Sequence, residues 1–145
     1  MLHNLEWLHG LDIQYDSSTF DTDPFEPQPN GVGTIFPFWV PSGDGTDGYV
    51  EIPYTLPQDF TLFILMKNKT IDIWKRKLDW IVSKGGMALM LTHPDYISFN
   101  KPSLMEEEYH IDKYEKFLEY VKSAYKDQYY HVLPRELASF WRNSH

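Results

Sequence analysis

The stretch TIDIWKRKLDWIVSKGGMALMLTH, residues 70–93, decides the fold class. Ile71, Trp74, Leu78 and Ile81 recur at i, i+3, i+7 and i+10, the spacing of one helix face. Thr70 is placed to cap the start of that helix and Gly85-Gly86 to end it. Met87-Ala88-Leu89-Met90-Leu91 follows as a short apolar run bounded by glycine and proline, the pattern of a strand covered on both faces. A buried, parallel strand is therefore expected there.

Outward from this unit the pattern continues. Ile111, Tyr114, Phe117 or Leu118, Val121 and Tyr125 mark a second amphipathic helix, with Glu106 to Glu108 near its N-terminal end and Lys122 and Lys126 near its C-terminal end, as the helix dipole favours. Tyr130 to Leu133 reads as a last strand, and Pro134 suits the first turn of a terminal helix through Trp141. The order helix, strand, helix, strand, helix indicates α/β architecture.

Toward the N-terminus regular structure thins out. Leu2, Leu5 and Leu8 lie at helical spacing before Gly10, and Leu11-Asp12-Ile13-Gln14-Tyr15 alternates as a half-buried strand does. Seven of the ten prolines fall between Pro24 and Pro57, together with Gly31, Gly33, Gly43, Gly45 and Gly48, which predicts mostly ordered loop. Short strands are expected within Thr34 to Val40 and Tyr49 to Tyr54, with Gly43-Asp44-Gly45 as the turn between them.

At 145 residues the chain is read as a single domain, 1–145. A hydrophobic content of 42% and an aromatic content of 17% are enough to build a core. The net charge of −8 repels phosphate backbones, so no nucleic acid is expected as a partner. No run reaches the roughly 18 apolar residues of a membrane span, and the start has no basic segment followed by an apolar run, so neither membrane nor signal peptide is expected. The absence of cysteine suits a cytoplasmic location.

Chemistry in α/β folds gathers beyond the carboxyl ends of strands. His93 follows the apolar run in Leu91-Thr92-His93-Pro94-Asp95-Tyr96, where an imidazole can exchange protons near neutral pH or simply order the loop. Asp16-Ser17-Ser18 follows the first strand. His3 and His9, His110 beside Asp112, and the acidic group Asp21, Asp23 and Glu26 have no recognisable metal-ligand spacing; solvated acids and surface histidines are expected. Ser17 and Ser18 lack the glycine setting of a hydrolase nucleophile. Phe36-Pro37-Phe38-Trp39, with Trp7, Tyr49 and Tyr54, is read first as area for a core and second as flat surfaces for sugar rings.

Leu91-Thr92-His93 resembles the Leu-x-His that ends a late apolar strand in polysaccharide deacetylases of the NodB-homology group. Gly10-Leu11-Asp12-Ile13-Gln14-Tyr15-Asp16-Ser17-Ser18 is similar to a Tyr-Asp-Ser-Ser segment of one branch, and Val50-Glu51-Ile52-Pro53 to its Glu-Ile-Pro strand. Trp80 to Gly86 resembles the helix leading into the histidine strand, so the matches stand in the same order over nearly the whole chain.

The resemblance implies the C-terminal half of a distorted, partial (β/α) barrel, and a hydrolase that removes acetyl groups from carbohydrate with the help of a divalent metal such as zinc. His93 would be the general acid, Leu91 would help form the acetyl pocket, and Asp16 and Trp39 would support the substrate. The family's Asp pair, its two metal-binding histidines and its Arg-x-Pro segment have no counterpart here. No metal ligand or cofactor is therefore assigned to this chain. A complete site would need a missing N-terminal half or a second copy in a homo-oligomer. The alternative is a non-catalytic carbohydrate-binding or structural protein on the same scaffold.

Overall fold

The computed structural model describes residues 5–23, 31–43, 47–99 and 104–144. The fold is mixed α/β. Its chain divides into two compact units, one formed by Met1–Thr55, Gly86–Leu89 and His131–His145, the other by Leu56–Gly85 and Met90–Tyr130.

The first unit contains a three-stranded sheet of β1 (Tyr15–Asp16), β3 (Gly48–Glu51) and β2 (Phe38–Pro41), in that order. β1 runs parallel to β3, pairing Asp16 with Glu51, and β2 runs antiparallel to it, pairing Trp39 with Val50. Val50, Ile52 and Ala138 are buried at the centre, with Trp39, Met87, Leu89, Leu137 and Trp141 packed against them. Leu137, Ala138 and Trp141 come from the helix at the chain end, Pro134–Ser144. Pro134 starts it, as expected, and the Leu133 amide donates to the Glu136 carboxylate at 3.0 Å, one half of a capping box. Gly48 has a steric reason to be glycine, because a Cβ there would lie 2.4 Å from the Val40 carbonyl oxygen and 2.7 Å from the Trp39 ring.

Several expectations in this unit are corrected. The N-terminal helix is a 3-10 helix over Leu5–Leu11 that runs through Gly10 and stops at Asp12, whose φ of 51° lies in the left-handed region an Asp tolerates. The alternating segment contributes only Tyr15 and Asp16 to the sheet. The short strands expected within Thr34 to Val40 and Tyr49 to Tyr54 are β2 and β3, shifted by a residue or more; Asp44 and Gly45 of the turn lie outside the described residues.

The second unit is built on α1 (Asp72–Ser83) and α2 (Asp112–Ala124). Trp74, Leu78 and Ile81 bury the predicted face of α1, Ile71 is buried just before it, and Gly85 ends it at φ 64° with its amide donating to the Val82 carbonyl. Trp74 is fully buried and packs its ring against Phe63 edge-on at 4.9 Å and against Phe117 of α2 at 5.1 Å. Its indole N–H donates to the Pro57 carbonyl at 2.6 Å, which satisfies the one polar atom this burial would otherwise strand. Phe117 rather than Leu118 is the inward residue of α2. A π-helix, Phe60–Leu65, contributes Thr61, Leu62, Phe63 and Ile64 to the interior. β4 (Ile97–Ser98) and β5 (Tyr109–His110) pair in parallel. The terminal helix Pro134–Ser144 is α3 below.

Met87 to Leu91 is extended but is not a ladder strand, and its side chains are half-buried, with Ala88 exposed. Its bonds are scattered: Met87 N–H donates to Ile35, Thr55 N–H donates to Leu89, and the Thr55 hydroxyl takes the place of a backbone partner for Leu89 N–H. Tyr130 to Leu133 is irregular and exposed apart from the half-buried Val132. Among the described residues the strands form these two small sheets and no closed barrel.

Candidate functional site

The arrangement with most chemical content lies in the second unit and centres on a residue that the sequence patterns do not single out. Asp59 caps the π-helix, its carboxylate accepting from the Phe60 amide at 2.8 Å. The chain reaches this cap through Pro57-Gln58, and an Asp before the apolar run Phe60 to Leu65 is an ordinary helix-start signal. Asp59 is completely buried, yet four donors converge on it. Oδ1 accepts from the Phe60 amide and faces His93 Nδ1 at 2.6 Å; Oδ2 accepts from the His93 amide at 2.7 Å and from the Tyr109 hydroxyl at 2.9 Å. The Asp59 amide in turn donates to the Leu91 carbonyl at 3.4 Å.

His93 sits where the extended segment ends, with φ −115° and ψ 114°, the conformation a following proline imposes. Pro94–Tyr96 then forms one 3-10 turn that holds the Tyr96 ring 5.3 Å from the imidazole, while Phe60 packs on Tyr96 at 5.2 Å. A carboxylate is an acceptor only, so the ring nitrogen facing it, Nδ1, carries the hydrogen. That leaves Nε2 as the exchanging atom, a base in the neutral ring and an acid in the charged one. The imidazole side chain is 38% exposed, and Nε2 has no partner among the described residues. Tyr109 is buried, and its hydroxyl is pushed above the usual tyrosine range, first by burial and then by the charge and hydrogen bond of Asp59. It is a fixed proton donor at neutral pH.

Asp59, His93 and Tyr109 thus form one hydrogen-bonded cluster that orients the imidazole. They do not fit as a ligand set for a divalent ion, because protein donors already occupy the lone-pair positions of Asp59. Among the described residues no three His, Asp or Glu side chains converge as a metal site would require.

Of the residues expected at the site, His93 and Leu91 lie together in the second unit; Asp16 and Trp39 belong to the first. Leu91 is half-buried and holds the Asp59 backbone. Trp39 stacks on Trp141 of α3 at 6.1 Å with the rings 6° from parallel, and Arg142 lies 5.5 Å from its centroid, a packing role. Asp16 is the register partner of Glu51, which is fully buried. Glu51 Oε1 accepts from the Ser18 and Thr19 amides at 3.2 and 3.0 Å and from the Thr19 hydroxyl at 2.6 Å, whereas Oε2 is buried without a hydrogen-bond partner. Burial is the main cause that raises the Glu51 carboxyl above its ordinary range; the Thr19 hydroxyl opposes it and Asp16 adds to it.

The acidic loop and the histidines differ from expectation. Asp21 and Asp23 are buried rather than solvated, and Glu26 lies outside the described residues. His9 and His110 are half-buried, the latter accepting the Asp112 amide on Nδ1 at 3.1 Å, and His3 lies outside the described residues. The Ser17 hydroxyl donates to the Ile52 carbonyl at 2.7 Å, an anchoring bond.

Comparison of the chain with protein-family models, with curated proteins and with solved structures gave no match.

Proposed function

We propose that the chain is a polysaccharide-deacetylase-like hydrolase fragment or subunit in which His93 is the general acid, on a scaffold equivalent to part of a (β/α) barrel. The observation that carries this reading is the buried Asp59 carboxylate oriented on His93 Nδ1 at 2.6 Å, with the remainder of the imidazole reaching solvent. Such a partner fixes the tautomer and the orientation of the ring, so that in its charged form Nε2–H can protonate a departing amine or alcohol as an acetyl group leaves its sugar. Leu91, two residues before it, would face the acetyl methyl. A divalent ion in the complete site would polarise the acetyl carbonyl and activate water. The residues described here provide no ligand set for one, so the chain alone is expected to be inactive until a further segment or subunit supplies it.

A second reading has its own support. Trp7 and Phe36, 67% and 47% exposed, offer flat apolar surfaces in the first unit, as a non-catalytic carbohydrate-binding protein would. The two readings separate in one experiment: express the chain together with the polypeptide encoded immediately upstream of it, incubate with an acetylated aminosugar oligomer and zinc, and measure acetate release and sugar binding for the wild type and for His93→Gln. Zinc-dependent release that falls at least a hundredfold in His93→Gln supports the acid role. Release that survives the substitution removes His93 from it, and saturable binding without release, unchanged in His93→Gln and lost in Trp7→Ala, favours the binding protein. Reading the DNA upstream of the Met1 codon for an Asp-Asp pair and a His-x-x-x-His segment tests the proposed missing half independently.

A further inference from the structure

A second feature of the Leu56–Gly85 and Met90–Tyr130 unit has no part in the His93 chemistry. Between the start of α1 and the exposed side of α2 lies a groove of about 600 Å³, within the size range of small-molecule sites. Four lysines line it, Lys69, Lys75, Lys113 and Lys116, against two carboxylates, Asp72 and Glu119. The concave surface is therefore positive in a chain whose net charge is −8.

The pairing of these lysines is uneven. Lys116 is held by Asp112, one turn earlier on α2, at 2.7 Å. Lys69, Lys75 and Lys113 have no carboxylate partner among the described residues. Lys75 instead lies over the Tyr120 ring at 4.9 Å, and Lys113 donates to the Lys69 carbonyl at 2.8 Å while sitting 5.2 Å from the Phe63 centroid. Both are thereby positioned at the groove without being neutralised. Burial lowers the affinity of Lys113 for its proton, and the charges of Lys116 and Lys69 add to that effect, with Asp112 opposing it. A multivalent anion between these ammonium groups would relieve their mutual repulsion, and a concave site focuses the field that attracts it.

We propose that this groove binds a small, multiply charged phosphate compound, with Lys69, Lys75 and Lys113 as its ammonium donors. Lysine suits such a ligand as a point charge, and three lysines spread along one groove favour a chain of phosphoryl groups over a single one. The site does not rest on the reading of His93.

The test is titration of the full chain with inorganic tripolyphosphate, followed by amide NMR and calorimetry at two salt concentrations. Saturable binding that shifts amides of residues 69–75 and 113–123, is at least about tenfold tighter than orthophosphate, and weakens about tenfold or more in Lys69→Ala/Lys75→Ala is the expected result. Lys84→Ala/Lys126→Ala changes the net charge equally and should leave the affinity within about twofold, the small residue that screening leaves to distant charges. Equal weakening in both double variants would show diffuse attraction rather than a site and would overturn the proposal. So would the absence of saturation, or shifts confined to other residues in the wild-type chain, a measurement that does not depend on any variant folding. Tighter binding of a single-stranded oligonucleotide than of tripolyphosphate would overturn it too, in favour of a polymer.

Discussion

Asp59 and Glu51 are both fully buried carboxylates, one in each unit, and their surroundings are opposite. Asp59 has two donors on each oxygen. Glu51 has three donors on Oε1 and none on Oε2, beside the second acid Asp16. Burial alone therefore does not decide what a carboxylate does. Where donors fill every lone-pair direction, the group orients its neighbours; where they fill half, the charged form is left under-solvated and the carboxyl holds its proton to higher pH.

Asp59→Ala should break the first arrangement with the largest effect. It strands the His93 and Phe60 amides and the buried Tyr109 hydroxyl together, and should cost about 3 kcal/mol or more in chemical denaturation. A loss under about 1 kcal/mol would mean that water or neighbours replace the carboxylate with ease. On the Glu51 side, Gly48→Ala tests the strand that presents it: the added methyl must displace the Val40 backbone or the Trp39 ring, at a cost of about 1–3 kcal/mol. Retained stability there would show that β2 and β3 have room to separate.

Tyr109→Phe sharpens the comparison by removing one donor of four. Asp59 Oδ2 should then keep only the His93 amide, a step toward the one-sided state of Glu51, with a stability loss of about 1 kcal/mol. The imidazole resonances of His93 should also move in an NMR pH titration, which mere loss of packing at Tyr109 would not produce. Glu51→Gln should have the smallest effect and a distinctive pH dependence. Because the folded carboxyl is raised above its ordinary value near 4.5, its favourable contribution is whole below that pH and is lost as pH rises through the folded value. Wild-type stability should consequently fall relative to Glu51→Gln as pH rises above the ordinary carboxylate value near 4.5. Parallel pH curves for the two proteins would sink the assignment.

The same contrast explains what was legible in the sequence. The α1 face is a local pattern, so Ile71, Trp74, Leu78 and Ile81 and the glycine stop read correctly without knowledge of partners. A strand has no such autonomy. Met87 to Leu91 has the composition of one, but only Ile35 and Thr55 meet its first half, so no ladder forms. His93 was visible because it ends that run next to a proline. Asp59 was not, because its partners stand 34 and 50 residues away and its own neighbourhood reads as a routine helix start. Glu51, flanked by Val50 and Ile52, would be expected to point to solvent by alternation; all three are buried because both faces of β3 are covered.

The cap that begins the π-helix has a consequence for descent. Asp59 starts a helix that fills the interior, anchors the Tyr109 strand and aims His93, so mutation cannot remove the last duty without damaging the other two. Asp59 would therefore be retained in any lineage that keeps this fold, whether or not the imidazole has a use. Persistence of Asp59 among descendants would then record the constraint of the scaffold, and only the fate of the part-exposed His93 ring would record a further demand on it.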